Sequence, residues 1–336
     1  MRPFSKVVIA ISVLISACTG GSKETAQDPI GTELSEFDKI NKLILDDPDN
    51  PTGYYQRAIH RQQHDSLRTA LADMERALKL DSSQAVYFET AGILRYQTSN
   101  FKGAMQAFEK CIALDDQNTE CKFRKAEILL VLRRYQETLD LVNDALRIDE
   151  NAAKGYYLKG WVYKELADSS LAISSLRTAV EQNPEYYDAW ILLGLLHAAK
   201  GDDLALEYYN SAIEIKPHST EAWYNKGIYA QETGLDSLAL DCYAEIMVFD
   251  PKNPTAYFNS GWVELEWVGN NEMAIERFTK AIELLPEYHQ AYYNRGLAYE
   301  RKGELGLASD DYRSALSIKP DYDLAANGLD RMDKIQ

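Results

Sequence analysis

The chain has 336 residues, of which 46% are hydrophobic and 26% charged, a globular composition that excludes wholesale disorder. Its formal charge of −16 leaves no basic excess for a duplex nucleic acid, and its 4 cysteines are too few for a disulfide-built scaffold. With 22 Tyr, 5 Trp and 9 Phe, large rings are plentiful for a core or an interface.

In chain order, Arg2 and Lys6 precede the apolar run Val7 to Ile15, and the small residues Ser16 and Ala17 lead to Cys18. A charged start, a short apolar stretch and a small-residue exit predict a secretory signal peptide over residues 1–17. The run is shorter than the roughly 20 residues that a spanning helix needs. Ile15-Ser16-Ala17-Cys18 resembles the bacterial lipobox. That resemblance implies cleavage before Cys18 and lipidation of its sulfur and new N-terminus. Loss of Arg2 and Lys6 would take the charge from −16 to −18. Each lipid methylene buried in a bilayer contributes about 0.8 kcal/mol, so two or more acyl chains anchor stably. Residues 18–32 read as the lipidated cysteine and a flexible tether, with an r.m.s. reach of roughly 20 Å. Thr19 after the cysteine favours the outer membrane, by resemblance to the proteobacterial sorting rule. Lys23-Glu24 loosely resembles surface-export signals of Bacteroidetes lipoproteins, and the periplasmic or surface face stays open.

Residues 33–50 carry one amphipathic helix ending before Pro48. Beyond it the chain repeats. Pro184, Pro217, Pro251, Pro286 and Pro320 are spaced by 33, 34, 35 and 34 residues, and Pro48 lies 136 before Pro184, four times 34. A small residue recurs at Ala58, Gly92, Ala126, Gly160, Gly194, Gly227, Gly261 and Gly296. Sixteen residues on, give or take one, stand Met74, Phe108, Val142, Leu176, Tyr209, Tyr243, Phe278 and Tyr312. Small positions let two helices approach and large ones fill the gap between them.

This period, with Trp-x3-Gly, Ala-x3-Phe/Tyr-x2-Ala and a terminal Pro, resembles the tetratricopeptide repeat (TPR). The resemblance implies an all-α, right-handed superhelical solenoid. Eight repeats are expected over 51–322: 51–84, 85–118, 119–152, 153–186, 187–219, 220–253, 254–288 and 289–322. The fifth is one residue short near Gly201-Asp202, and the seventh one long near Val268-Gly269-Asn270. Repeats one and three depart most, with Ala at the glycine position and no terminal Pro. Residues 323–336 are expected to form a capping helix over the apolar end.

No phosphate-binding loop, Cys-x2-Cys pair or nucleophile elbow is present, and repeats and caps leave no room for a catalytic domain. The expectation is a non-enzyme with no cofactor and no metal. His60 and His64 have ligand spacing, but Arg61 stands where a metalloprotease would place Glu. In the repeat stack Cys111 and Cys121 fall on neighbouring helices. Two outcomes are open: a disulfide, which an exporting compartment permits, or two small side chains packing as alanine does. Cys242 has no evident partner.

By the same resemblance, the first helix of each pair lines a concave groove. Its inward positions include Tyr157, Trp161, Tyr224, Phe258, Trp262 and Tyr293. Asn225, Asn259 and Asn294 recur in three consecutive repeats, and an amide can both donate to and accept from a peptide backbone. These nine residues are the expected peptide groove. Where some TPR proteins clamp a carboxylate with cations, repeats six to eight hold Glu221, Tyr224, Thr255, Phe258, Gln290 and Asn294. With Glu165, Glu232 and Glu266 nearby, a neutral or basic segment is the expected partner. The implied job is a scaffold or adaptor for envelope proteins, tethered by lipid. The alternative is a ligand- or glycan-binding subunit of an outer-membrane uptake system. The uptake lipoproteins carry long insertions between repeats, whereas these loops differ by one residue.

Overall fold

A computed structural model describes residues 34–335; the expected leader, the Cys18 lipidation site and the tether lie outside the described residues. Every regular element among the described residues is helical. A first helix, α1 (Glu36–Asp46), precedes α2 (Pro51–Gln63), α3 (Leu67–Leu80), α4 (Ala85–Gln97), α5 (Phe101–Leu114), α6 (Thr119–Val131) and α7 (Tyr135–Ile148). Then come α8 (Ala153–Glu165), α9 (Ser169–Gln182), α10 (Tyr187–Ala198), α11 (Leu204–Ile215), α12 (Thr220–Glu232) and α13 (Asp236–Phe249). The last are α14 (Pro254–Val263), α15 (Asn271–Leu284), α16 (His289–Lys302), α17 (Leu305–Ile318) and α18 (Asp323–Ile335). Each helix packs against the one before and the one after it in the chain, and α2 to α17 form consecutive pairs. The result is a solenoid.

Local chemistry sets the helix ends. Side-chain oxygens of Asn50, Asn100, Asn118, Asp168, Ser219, Asn253 and Asn270 accept from backbone N–H groups in the first turn of the helix that follows. Such a cap satisfies a donor that has no partner inside the helix. Within each pair the turn passes through one left-handed residue. The backbone N–H after it returns to a carbonyl in the last turn, as in Asn100 to Arg95 at 2.7 Å and Leu235 to Ala230 at 2.8 Å.

Packing explains the small-against-large rhythm. A Cβ on Gly194 would lie 2.4 Å from the Tyr209 ring, and one on Gly92 would lie 2.5 Å from Phe108. Gly160 meets Leu176 instead of a ring, a Cβ there lying 2.5 Å from its side chain, and where alanine replaces glycine, Ala58 and Ala126 share their clusters with Met74 and Val142. A second device joins successive repeats. Trp190 and Trp223 donate their indole N–H to the carbonyls of Pro184 and Pro217 at 2.7 and 2.8 Å. Tyr54, Tyr156 and Tyr257 do the same with their hydroxyls, to Pro48, Glu150 and Pro251. Each bond ties the start of one pair to the end of the previous one.

The extra residue of the seventh repeat does not lengthen the loop. It is absorbed as a π-helical turn, Glu264–Val268, continuous with α14, and the usual closure follows from Asn270 N–H to Glu264 at 2.8 Å. The sequence places it at Val268-Gly269-Asn270; the helix takes it up one turn earlier, since a wider turn keeps Gly269 free to close the loop. Cys111 and Cys121 form a disulfide with Cα atoms 6.4 Å apart, joining α5 to α6. Cys242 is free and buried, and burial pushes its thiol up to about 11. At the C-terminal end α18 lays Ala325 and Met332 on Tyr312, and Arg331 forks onto the Glu300 carboxylate at 3.0 and 2.8 Å. No helix among the described residues is long and apolar enough to cross a membrane.

Candidate functional site

A grooved surface lies on the first helices of the middle pairs. A hollow of about 490 Å³ is lined from α4, α6, α8 and α10 by residues that include Tyr96, Arg124, Glu127, Tyr157, Trp161 and Asp188. A second, of about 450 Å³, continues it across Leu192 and Leu195 to Glu221 of α12. Tyr157, Trp161 and Asp188 border both. The groove forms because α6, α8, α10 and α12 are all first helices, and alternate helices α6–α8 and α10–α12 touch each other directly.

Three rings form its wall. Tyr157 lies 5.0 Å from Tyr186 and 5.7 Å from Trp161, centroid to centroid, the second pair edge to face. Trp161 is 39% exposed, high for so large a ring. Burial pushes the phenols of Tyr157 and Tyr186 well above the usual range, and the Asp188 carboxylate pushes both further. Arg124 does not stand free in this wall: it donates to Glu120 at 2.6 Å and to Glu127 at 3.4 Å.

The other expected groove residues are placed less uniformly. Phe258 stacks on Tyr288 at 4.8 Å, and Trp262 meets Trp267 of the π-helical turn at 6.1 Å. Tyr224 and Asn225 are half-buried. Tyr293 packs on Tyr312 and Tyr322 at 5.8 and 5.6 Å. The expected asparagine ladder needs correction. Asn259 and Asn294 are buried, and Asn294 donates its amide to the Gln290 carbonyl of its own helix at 3.0 Å. The position follows the groove-facing ring by a helical step of about 100°, which sets it at the border of the seam. Arg124 at the same position is long enough to reach out; a short amide is not. The pair His60 and His64 stack ring on ring at 4.2 Å, and His64 Nδ1 lies 2.8 Å from the His60 carbonyl.

Tyr186, Asp188, Arg124, Glu127 and Leu195 were absent from the sequence reading. A signal for Asp188 existed: it occupies the helix position of Glu221, Thr255 and Gln290, one repeat earlier. Tyr186 carried one too: Pro-x-Tyr recurs at Tyr186, Tyr288 and Tyr322, and each of these rings packs on the groove-facing ring of the helix pair before it, Tyr157, Phe258 and Tyr293.

Comparison with known proteins follows the same lines. Family models described as Tetratricopeptide repeat match residues 157–220 and 289–322, and one described as TPR repeat matches 269–303. Tetratricopeptide repeat protein 6 of Homo sapiens is 25% identical over 292 residues, 84% of this chain and 55% of that protein. A TPR repeat-containing protein of Methanocaldococcus jannaschii is 24% identical over 294 residues, 80% of this chain and 50% of that one. The chain spans about half the length of such curated relatives. Among solved structures, the C-terminal part of a TPR repeat-containing protein from Cytophaga hutchinsonii matches with a TM-score of 0.51 at 18% identity, covering 66% of this chain and 92% of that chain. That likeness concerns the fold alone. With its consecutive helix pairs, its glycine-against-ring seams and matches in both halves of the array, the chain is a tetratricopeptide repeat protein.

Proposed function

We propose that the chain is a non-enzymatic scaffold that holds an extended segment of a partner protein along its first-helix groove. The observation that carries this is the run of two adjoining hollows across α4 to α12, walled by Tyr157, Trp161 and Tyr186. Exposed aromatic anchors of this kind dominate protein interfaces, where truncating one often costs about 2 kcal/mol or more. Tyr224, Phe258, Trp262 and Tyr293 hold matching helix positions in later repeats and extend the floor. The scaffold works in a bacterial envelope, tethered through a lipid on Cys18; this rests on the leader and lipobox residues of the sequence.

The test of the groove is site-specific photocrosslinking in the native membrane. A photoreactive residue at Leu195 should capture partner polypeptide, and one at Lys280 of α15 should not. Trp161→Ala should cut the Leu195 capture more than tenfold while helicity by circular dichroism is kept. Equal capture at both sites would move binding off the groove. For the anchor, Cys18→Ser should shift the protein from the detergent phase to the aqueous phase of a phase separation.

A further inference from the structure

We propose that the central hollow seats a lysine or arginine side chain of the partner segment between Tyr157, Trp161 and Tyr186, with Asp188 as its counter-charge. This deepens the groove reading above and rests on it.

The first argument is the pairing of charges on the rim. Of the cations there, Arg124 is held by Glu120 and Glu127, Lys154 by the same two carboxylates at 3.3 and 3.0 Å, and Lys164 by Glu165 at 3.0 Å. Arg133 faces the same Glu165 electrostatically. Asp188 is exposed and has neither a hydrogen bond nor an ion pair among the described residues. Glu221, at the far border, accepts the Tyr187 hydroxyl at 3.0 Å and no other hydrogen bond among the described residues. The surplus charge of the hollow is therefore negative.

The second argument is the state of the rings. At several places elsewhere this chain sets its own cations over ring faces. Lys216 sits 3.8 Å over Tyr187, Lys226 5.1 Å over Trp223, and Arg295 5.5 Å over Tyr292. No lysine or arginine among the described residues lies over Tyr157, Trp161 or Tyr186. The Tyr157 and Tyr186 hydroxyls also have no hydrogen-bond partner there. A cation over an aromatic face gains most when it is partly desolvated and a carboxylate stands beside it. An acidic side chain in the same place would meet like charge and would leave the ring faces unused.

The experiment is a random nonapeptide library displayed on phage and selected on the full chain, followed by fluorescence anisotropy with the strongest selected peptide. Selected peptides should be enriched in lysine or arginine at one fixed position. Replacing that residue by glutamine should weaken binding at least tenfold, and Asp188→Asn should do the same with an unchanged thermal midpoint. In the Asp188→Asn background the peptide change should cost less than twofold more. Peptides that depend on Trp161 yet carry no basic residue, or two effects that simply multiply, would overturn the assignment of the cation and leave the groove standing. Selected peptides whose binding is indifferent to Trp161→Ala, or a library that yields no binder, would overturn the groove reading itself.

Discussion

The first four and last four repeats solve one backbone problem with different residues. Each helix pair turns through a left-handed residue. In the N-terminal half these are Asp65, Ser99, Arg133 and Ala167, with φ of 55, 62, 58 and 61°. In the C-terminal half they are Gly201, Gly234, Gly269 and Gly303, with φ of 66 to 81°. The closing hydrogen bond is the same in both halves, 2.9 Å from Asp168 N–H to Tyr163 and 2.9 Å from Glu304 N–H to Tyr299. The turn is therefore imposed by the packing of the pair. The residue inside it decides only what the turn costs, roughly 1 kcal/mol or more for a side chain with a Cβ. The half that bears this strain is also the half that contains the disulfide and most of the hollow.

The comparison can be broken most forcefully at a seam. Gly194→Leu would drive a side chain into Tyr209, whose ring already lies 2.4 Å from a built Cβ, and should cost about 3 kcal/mol. Because repeats stabilise only their neighbours, faster amide exchange should stay within α8 to α13. Exchange rising equally in α2 and α3 would show that the halves are not independent. Replacing Cys111 and Cys121 together by alanine should cost about 2–3 kcal/mol by freeing a short loop in the unfolded chain. Its signature should be a lower first transition in urea, with the C-terminal transition unmoved.

The turns themselves give opposite signs. Gly234→Ala should destabilise by about 1 kcal/mol, whereas Ala167→Gly should stabilise by about 0.5 kcal/mol, strain relief being offset by a floppier unfolded chain. If both substitutions destabilise in chemical denaturation, the N-terminal turns are not strained. The smallest effect concerns α18. Hydrogen bonds from Arg331, and then from Tyr312, hold the Glu300 carboxyl below its usual 4.5. Its contribution is complete above that value and is lost as pH falls through the lowered folded value. This partly exposed clasp is worth about 0.5 kcal/mol. Amide exchange in α18 should accelerate below pH 4, and Glu300→Gln should remove that pH dependence.

The array was readable because its determinants are local and periodic. The prolines and the glycine–ring spacing depend on one helix pair at a time. What escaped was set between repeats or by backbone context. Nothing in Ser99 or Arg133 announces a positive φ; only alignment with Gly234 in the repeat register marks them. The Asn259 and Asn294 side chains sit on the right helices, but the groove border falls just outside their reach. Tyr186 and Asp188 recur in register, as Tyr288 and Tyr322 and as Glu221, Thr255 and Gln290 do; what the linear pattern does not contain is that Tyr186 packs on Tyr157 and closes a hollow there.

The bonds from Trp and Tyr to the end of the preceding pair give the solenoid an uneven elasticity. Phe88 has no donor to make this tie, and Lys122 at the next equivalent position turns to Asp144 instead. At the second of these junctions a covalent link, Cys111 to Cys121, stands in for the missing hydrogen bond. Tyr292, at the same position of the last pair, makes no such bond either; pulled from its two ends, the coil would yield most readily where α15 meets α16 and where α3 meets α4, the seams between pairs with neither tie. Reduction would soften the next seam along, bringing the compliance to the edge of the hollow, so a partner's grip and the tension on the rod would be coupled through the redox state of one bond.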